Sequence, residues 1–136
     1  MNRFKELKVW QESMNVVMEV YKLAASFPND EKFNLTSQIK RSAVSIPSNI
    51  AEGACRKHPK EFAQFLGIAS GSAAELITQI EIATRLNLIS ENSGNELGQK
   101  LIHITNMIYK LENWVLDPSR SKNIVSEPNE YYNNPT

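Results

Sequence analysis

Cysteine is nearly missing from this sequence of 136 residues, where Cys55 stands alone. One thiol forms no internal disulfide and by itself builds no cysteine-based zinc site. Glycine is scarce too, at five residues, fewer than an all-β sandwich with a tight turn every ten residues or so would use. Net charge is absent: 15 Lys+Arg stand against 15 Asp+Glu, for a sequence pI near 6.7. That balance excludes a protein whose whole surface attracts nucleic acid. No stretch approaches the ~18 uncharged apolar residues of a membrane span, and MNRFKELKVW lacks the apolar core of a signal peptide. A reducing cytoplasm is the expected compartment, with no membrane partner.

What is present reads as helix. The hydrophobic share of 41% and charged share of 22% are those of an ordinary globular domain. From Phe4 to Phe27, Leu7, Trp10, Met14, Val17, Tyr21 and Ala24 recur at spacings of three and four. They form one stripe of a helix, with Val16, Val20, Leu23 and Phe27 beside it. Pro28 ends the segment, since proline disfavours α geometry at the residue before it. Asn29 and Asp30 offer caps for a second helix running to about Ala54, whose stripe is Ile39, Ala43, Ile46 and Ile50. Pro47 falls inside it and predicts a kink, or less readily a break. Pro59 suits the first turn of a third helix, in which Phe62, Leu66, Ala69, Ala73, Leu76, Ile80 and Ala83 keep the spacing. Asn87 is placed for a left-handed cap. Ser90 opens a fourth helix with Leu97, Leu101, Ile104, Ile108, Leu111 and Val115 inward, and Asp117-Pro118 stops it.

The pattern predicts an all-α, antiparallel up-down-up-down four-helix bundle over residues 1–116, with a Pro-kinked second helix. Trp10, Met14, Val17, Ile39, Ala43, Leu76, Ile80, Ile104 and Leu111 are expected inside. Residues 117–136, rich in Pro, Asn and Ser, read as a flexible polar tail.

Chemistry-bearing residues are few. His58 and His103 lie on different elements, with no partner at metal-ligand spacing. Cys55 lies near Arg56, Lys57 and His58, yet a lone Cys is more often a small hydrophobe. Glu75 and Glu81 miss the spacing of a di-metal bundle. No catalytic residue, cofactor, metal or small-molecule substrate is therefore expected. Helix 2 carries a second, polar stripe: Gln38, Arg41, Ser45, Asn49 and Glu52. Gln, Ser and Asn are poorer surface fillers of a helix than Glu, Lys or Ala, so this face is expected to lie against another helix or subunit. Arg41 would pair there with Glu52 or Glu75, and Asn49 would serve the carbonyl released by Pro47. The competing reading turns Arg41 and Lys40 outward to hold phosphate. In helix 3 the run Gly67 to Ala74 is dense in small residues, and close helix approach is the expected compensation for its low helix propensity.

Charge is uneven along the chain. Residues 1–60 hold ten Lys/Arg against six Asp/Glu, and the remainder five against nine. Lys40, Arg56, Lys57 and Lys60 are the candidate nucleic-acid contacts. The same asymmetry also suits pairing of basic and acidic faces between subunits.

FKELKVWQ, FPNDEKFNLTSQIKRSAVSIPSNIAEG and EFAQFLGIASGSAAELITQ resemble the 23S rRNA-intervening-sequence proteins, also called the four helix bundle protein family. The resemblance spans Phe4 to Leu116, and SIPSNIAEG followed by IASGSAAEL is its most specific part. It implies a small bacterial four-helix bundle that assembles into a ring-like homopentamer without enzyme activity. A related accessory protein of diversity-generating retroelements forms a basic pentameric barrel that binds nucleic acid and a reverse transcriptase. The present chain departs from that relative in its zero net charge. Two roles are then in view: a homo-oligomeric scaffold that binds RNA or DNA weakly, or an RNA-processing protein, and an interaction module whose partners are only proteins.

Overall fold

The computed structural model describes residues 3–31 and 34–119. Four α-helices carry the fold: α1 Lys8–Ala24, α2 Leu35–Ala54, α3 Pro59–Arg85 and α4 Glu91–Leu116. Short 3₁₀ turns at Arg3–Glu6 and Asn29–Glu31 precede α1 and α2. No strand occurs among the described residues. α1 packs on α2 and α4, and α3 packs on α2 and α4, while the backbones of the diagonal pairs make no close approach among the described residues. Short connections between neighbours make this the predicted antiparallel four-helix bundle.

The helix ends follow local chemistry. Pro59 opens α3, where its missing N–H costs nothing. Ser90 caps α4, its hydroxyl oxygen accepting from the Ser93 N–H at 3.1 Å. At the far end of α3, Asn87 adopts the left-handed conformation with φ 61°. The Leu88 N–H then reaches the Ala83 carbonyl at 2.9 Å, and the Asn87 N–H the Thr84 carbonyl at 3.0 Å. This is a Schellman close, and it turns the chain into α4. Pro47 sits buried inside α2, which runs unbroken past it.

Three boundaries differ from expectation, one being the end of the first helix, which stops at Ala24, three residues before the expected Phe27. The first helix begins at Lys8, because the chain is extended at Leu7 (ψ 123°) and Arg3–Glu6 forms a separate turn. The second begins at Leu35, since Asn34 lies outside helical geometry at φ −111° and ψ −106°. Asn29 and Asp30 consequently belong to a 3₁₀ turn and do not cap α2. Of the proposed tail, residues 120–136 lie outside the described residues.

The core is the predicted one on three helices. Ile39, Ala43, Leu76, Ile80, Ile104 and Leu111 are buried, alongside Phe62, Leu66 and Leu101. α1 differs. Its inward face is Val9, Ser13, Val16, Val20 and Ala24, whereas Met14 and Tyr21 are exposed and Trp10 and Val17 only partly covered. Small side chains occupy the interior here, with the Ser13 hydroxyl donating to the Trp10 carbonyl at 2.8 Å. Trp10 instead meets Phe4 edge-to-face, ring centroids 5.6 Å apart.

Candidate functional site

The polar stripe on α2 divides between two settings. Ser45 and Asn49 lie in the α2–α3 seam. There the Ser45 and Ser72 hydroxyl oxygens are 2.8 Å apart. Asn49 Nδ2 donates to the Ser45 carbonyl at 2.8 Å and to the Ser45 hydroxyl oxygen at 2.9 Å. At the lower end of the seam, a Cβ on Gly53 would stand 2.6 Å from Phe65 Cβ and 3.3 Å from the Phe62 carbonyl oxygen. Only glycine lets the two helices meet so closely there. The seam is thus built from short side chains whose polar groups answer one another.

Gln38, Arg41 and Glu52 lie outside it, exposed, and so does Glu75. The expected Arg41 pairing with Glu52 or Glu75 is not made: Glu52 accepts instead from Arg56 at 3.1 Å, and no ion pair of Arg41 occurs among the described residues. Helix geometry gives the reason. At 100° per residue, Arg41 and Asn49 are separated by about 80° around the axis, enough to move one from seam to solvent. Asn49 also serves the Ser45 carbonyl, not the Ala43 carbonyl that Pro47 leaves without its helical donor. Two buried polar atoms have no hydrogen-bond partner among the described residues, Gln79 Oε1 and Thr36 Oγ1.

The basic candidates do not form one patch. Lys40 is half-buried on the α1–α2 side, its ammonium 5.0 Å from the centre of the Tyr21 ring. Arg56 lies sixteen residues further along, about 24 Å at 1.5 Å per residue, at the α2–α3 turn. Its guanidinium is 4.9 Å from the Phe65 ring and paired with Glu52. Lys57, His58 and Lys60 are exposed at that turn. Cys55 is exposed there as well. Among the described residues, no group of three His, Cys, Asp or Glu side chains could hold a metal ion, and no helix is long and apolar enough to cross a membrane.

The small-residue run of α3 is likewise divided. Ala69, Ser72 and Ala73 are buried, but Gly67 and Gly71 face outward, and a Cβ on either would meet no atom within 4 Å. The close approach expected at those glycines occurs at Gly53 and Gly94 instead, where a Cβ on the latter would stand 2.4 Å from the Thr84 hydroxyl oxygen.

Across the bundle, α1 and α4 leave an open groove of about 980 Å³. Lys100 pairs with Glu19 across it, and His103 Nε2 lies 3.4 Å from Glu12 Oε2. The hydrogen bond from Lys100 to Glu19, and then the attraction of that carboxylate, raise the Lys100 pKa above its ordinary 10.5. These pairs had no signal in the spacing of either helix, because they join residues 81 positions apart in the shorter case. Ser72 was visible only as one small residue among several.

Comparison with known proteins gives a consistent answer. The family model for the 23S rRNA-intervening sequence protein matches residues 5–110. A crystal structure of a protein of unknown function from the S23 ribosomal protein family of Bacteroides thetaiotaomicron superposes with a TM-score of 0.71 at 24% identity. That similarity covers 76% of this chain and 97% of the other. Among curated proteins, none matches the chain.

Proposed function

The chain belongs to the 23S rRNA-intervening sequence protein family, and from that membership we propose that it is a non-enzymatic, homo-oligomeric scaffold whose partner is RNA or an RNA-processing protein. One observation carries the oligomeric part. Ten large hydrophobic side chains are exposed among the described residues of this small bundle, including Met18, Ile68, Ile102 and Tyr109. Single exposed apolar residues are ordinary, but groups of them on several helices mark surfaces that other molecules cover. The homopentamer expected from the resemblance is the assembly proposed. Lys57, His58 and Lys60, exposed at the α2–α3 turn, are the side chains offered to phosphate, and repetition around an oligomer would multiply so small a patch through avidity.

A protein-only role is favoured by a separate observation. Two of the four basic candidates are already engaged within the chain, Lys40 over Tyr21 and Arg56 with Glu52 and Phe65. Sedimentation velocity combined with RNA titration over a range of salt separates the readings. We expect an assembly several times the 15.4 kDa chain and a steep fall of log K with log salt. Lys60→Ala should flatten that slope by about one unit per phosphate contact removed. A slope near zero would leave the protein-only role, and a monomer at tens of micromolar would end the scaffold reading.

A further inference from the structure

α4 carries an apolar stripe on its outer face. Ile102, Tyr109 and Leu116 follow one another at seven-residue intervals, which keeps them within about 40° of arc around the helix. They are 54%, 65% and 45% exposed. At its Ile102 end the stripe enters a groove of about 690 Å³ between α3 and α4, whose wall also holds Ile77 and Ile82. Its other end, Leu116, is the last residue of the helix. There the chain leaves the helix axis. Asp117 is extended at ψ 113°, and its carboxylate accepts from the Ser119 N–H at 2.9 Å and from the Ser119 hydroxyl at 2.7 Å. This is an Asx turn. Glu112, between Tyr109 and Leu116 on the helix, is in no ion pair among the described residues.

The sequence that follows the turn matches this surface. Residues 120–136 are polar except for two prolines and two adjacent pairs, Ile124–Val125 and Tyr131–Tyr132, which are also seven residues apart. Arg120 and Lys122 are the segment's only cations. Reach permits the match. Tyr109 lies about 10 Å and Ile102 about 21 Å back along α4 from Leu116. Counted from Ser119 at about 3.3 Å per residue, Ile124 can extend about 16 Å and Tyr131 about 40 Å, so both have slack. Tyrosine suits a half-open groove, where its ring lies on an apolar wall and its hydroxyl stays in water. We propose that the occupant of this face is the chain's own segment 120–136, doubled back along α4. Ile124 and Val125 then lie against Leu116 and Tyr109, and Tyr131 and Tyr132 against Ile102 and Ile82. Arg120 and Lys122 pass Glu112 on the way; an exposed contact of that kind contributes little, so the apolar pairs carry the docking. Tethering favours this occupant over a free one, since a segment anchored at the end of the stripe is held at an effective concentration on the order of mM. The inference does not rest on the oligomeric reading, because Met14, Met18 and Ile68 stay exposed whether or not α4 is covered.

Trypsin cleavage after Arg120 and Lys122 in the full chain tests it, with a synthetic peptide of residues 117–136 as the uncovered reference. Cleavage tracks the population of the open form, so the wild-type chain is expected to be cut about tenfold or more slowly than the peptide. Ile102→Ser with Tyr109→Ser should bring the rate up to that of the peptide, and so should Ile124→Ser with Val125→Ser. All four positions lie outside the core of the bundle or beyond α4, so helical circular dichroism should be retained. Met18→Ser, which removes an equally exposed apolar side chain from α1, should leave the protection intact. Protection within one chain should also survive about a hundredfold dilution, as tethering requires. A wild-type chain cut as fast as the peptide would overturn the proposal, and so would protection that outlasts the loss of Ile102 and Tyr109. Protection lost on dilution, or lost equally in Met18→Ser, would overturn it too, and would assign the cover to a second copy.

Discussion

The two sides of α2 and α4 are held in opposite ways. Along the α2–α3 seam, serines, an asparagine and a glycine bring two helices together, and the polar groups bond at 2.8–2.9 Å inside the contact. Between α1 and α4 the helices stand apart around a groove of about 980 Å³, bridged by longer side chains, Lys100 to Glu19 and His103 beside Glu12. Short side chains have few rotamers to lose and set the helix register closely, whereas exposed ion pairs give up side-chain entropy and contribute little. The difference teaches where the bundle is stiff. α2 and α3 form its rigid hairpin, and α1, whose interior face is Val, Ser and Ala, is the helix most ready to open locally.

The sharpest way to break that contrast is to widen the seam. Gly53→Ala places a Cβ 2.6 Å from Phe65 Cβ, with the Phe62 ring and carbonyl also close. Alanine gains up to ~1 kcal/mol of helix propensity over glycine, but overpacking a close contact costs about 1–3 kcal/mol. The expected net result is a loss, read as a lower urea midpoint with an unchanged m-value. Gly71→Ala, with open space above it, should not show that loss in the monomer. If both substitutions raised the midpoint, the seam would be no tighter than the outer face.

A smaller effect is expected from the hydroxyl pair. Ser72→Ala leaves the Ser45 hydroxyl with its Asn49 donor but without its partner across the seam, and a loss of about 0.5–1.5 kcal/mol should follow. A double-mutant cycle with Ser45→Ala sharpens the point, since two groups in one bond should give a double variant less costly than the sum of the singles. Strict additivity would mean that the two hydroxyls do not act on each other.

Much of this architecture was legible in the sequence, and, the misplaced Asn29 and Asp30 cap aside, the misread faces have a common cause. Pro59, Ser90 and Asn87 act through their own backbone or cap chemistry, so their effects are local and read correctly. The apolar stripes of α2, α3 and α4 read correctly as well, because one face of each helix is much the more apolar. On α1 two apolar stripes lie side by side, and size favoured the one holding Trp10, Met14 and Tyr21. Choosing between them depends on the space that α2 and α4 leave, which no spacing within α1 contains. The polar stripe of α2 failed similarly. Its period was right, but the face is some 80° wide and only Ser45 and Asn49 lie in the contact with α3; Arg41 falls at the outer edge of the face, and Gln38, between the two in angle, lies in the first turn of the helix. Which long-range partner a charged residue takes, such as Glu19 for Lys100, has no periodic signature at all.

The mildest test addresses the α1–α4 side. Lys100→Met removes the charge that spans the groove while keeping the length of the side chain. Both partners are about half exposed, at 54% and 42%, so the expected loss at neutral pH is under ~1 kcal/mol. Its pH dependence carries the information. Because Glu19 raises the Lys100 pKa in the folded chain above 10.5, the folded state holds that proton more tightly than the unfolded one. The pair's contribution is therefore complete below 10.5 and disappears as pH climbs through the raised value. Urea unfolding of wild type and Lys100→Met, compared at pH 7 and well above 10.5, should show a small gap that closes at high pH. Taking the difference between the two chains cancels the titration of the other lysines and the tyrosines. A gap as large as that of Gly53→Ala would make the groove as strong a contact as the seam. A gap that widened with pH would reverse the sign of the linkage, and the raised pKa with it.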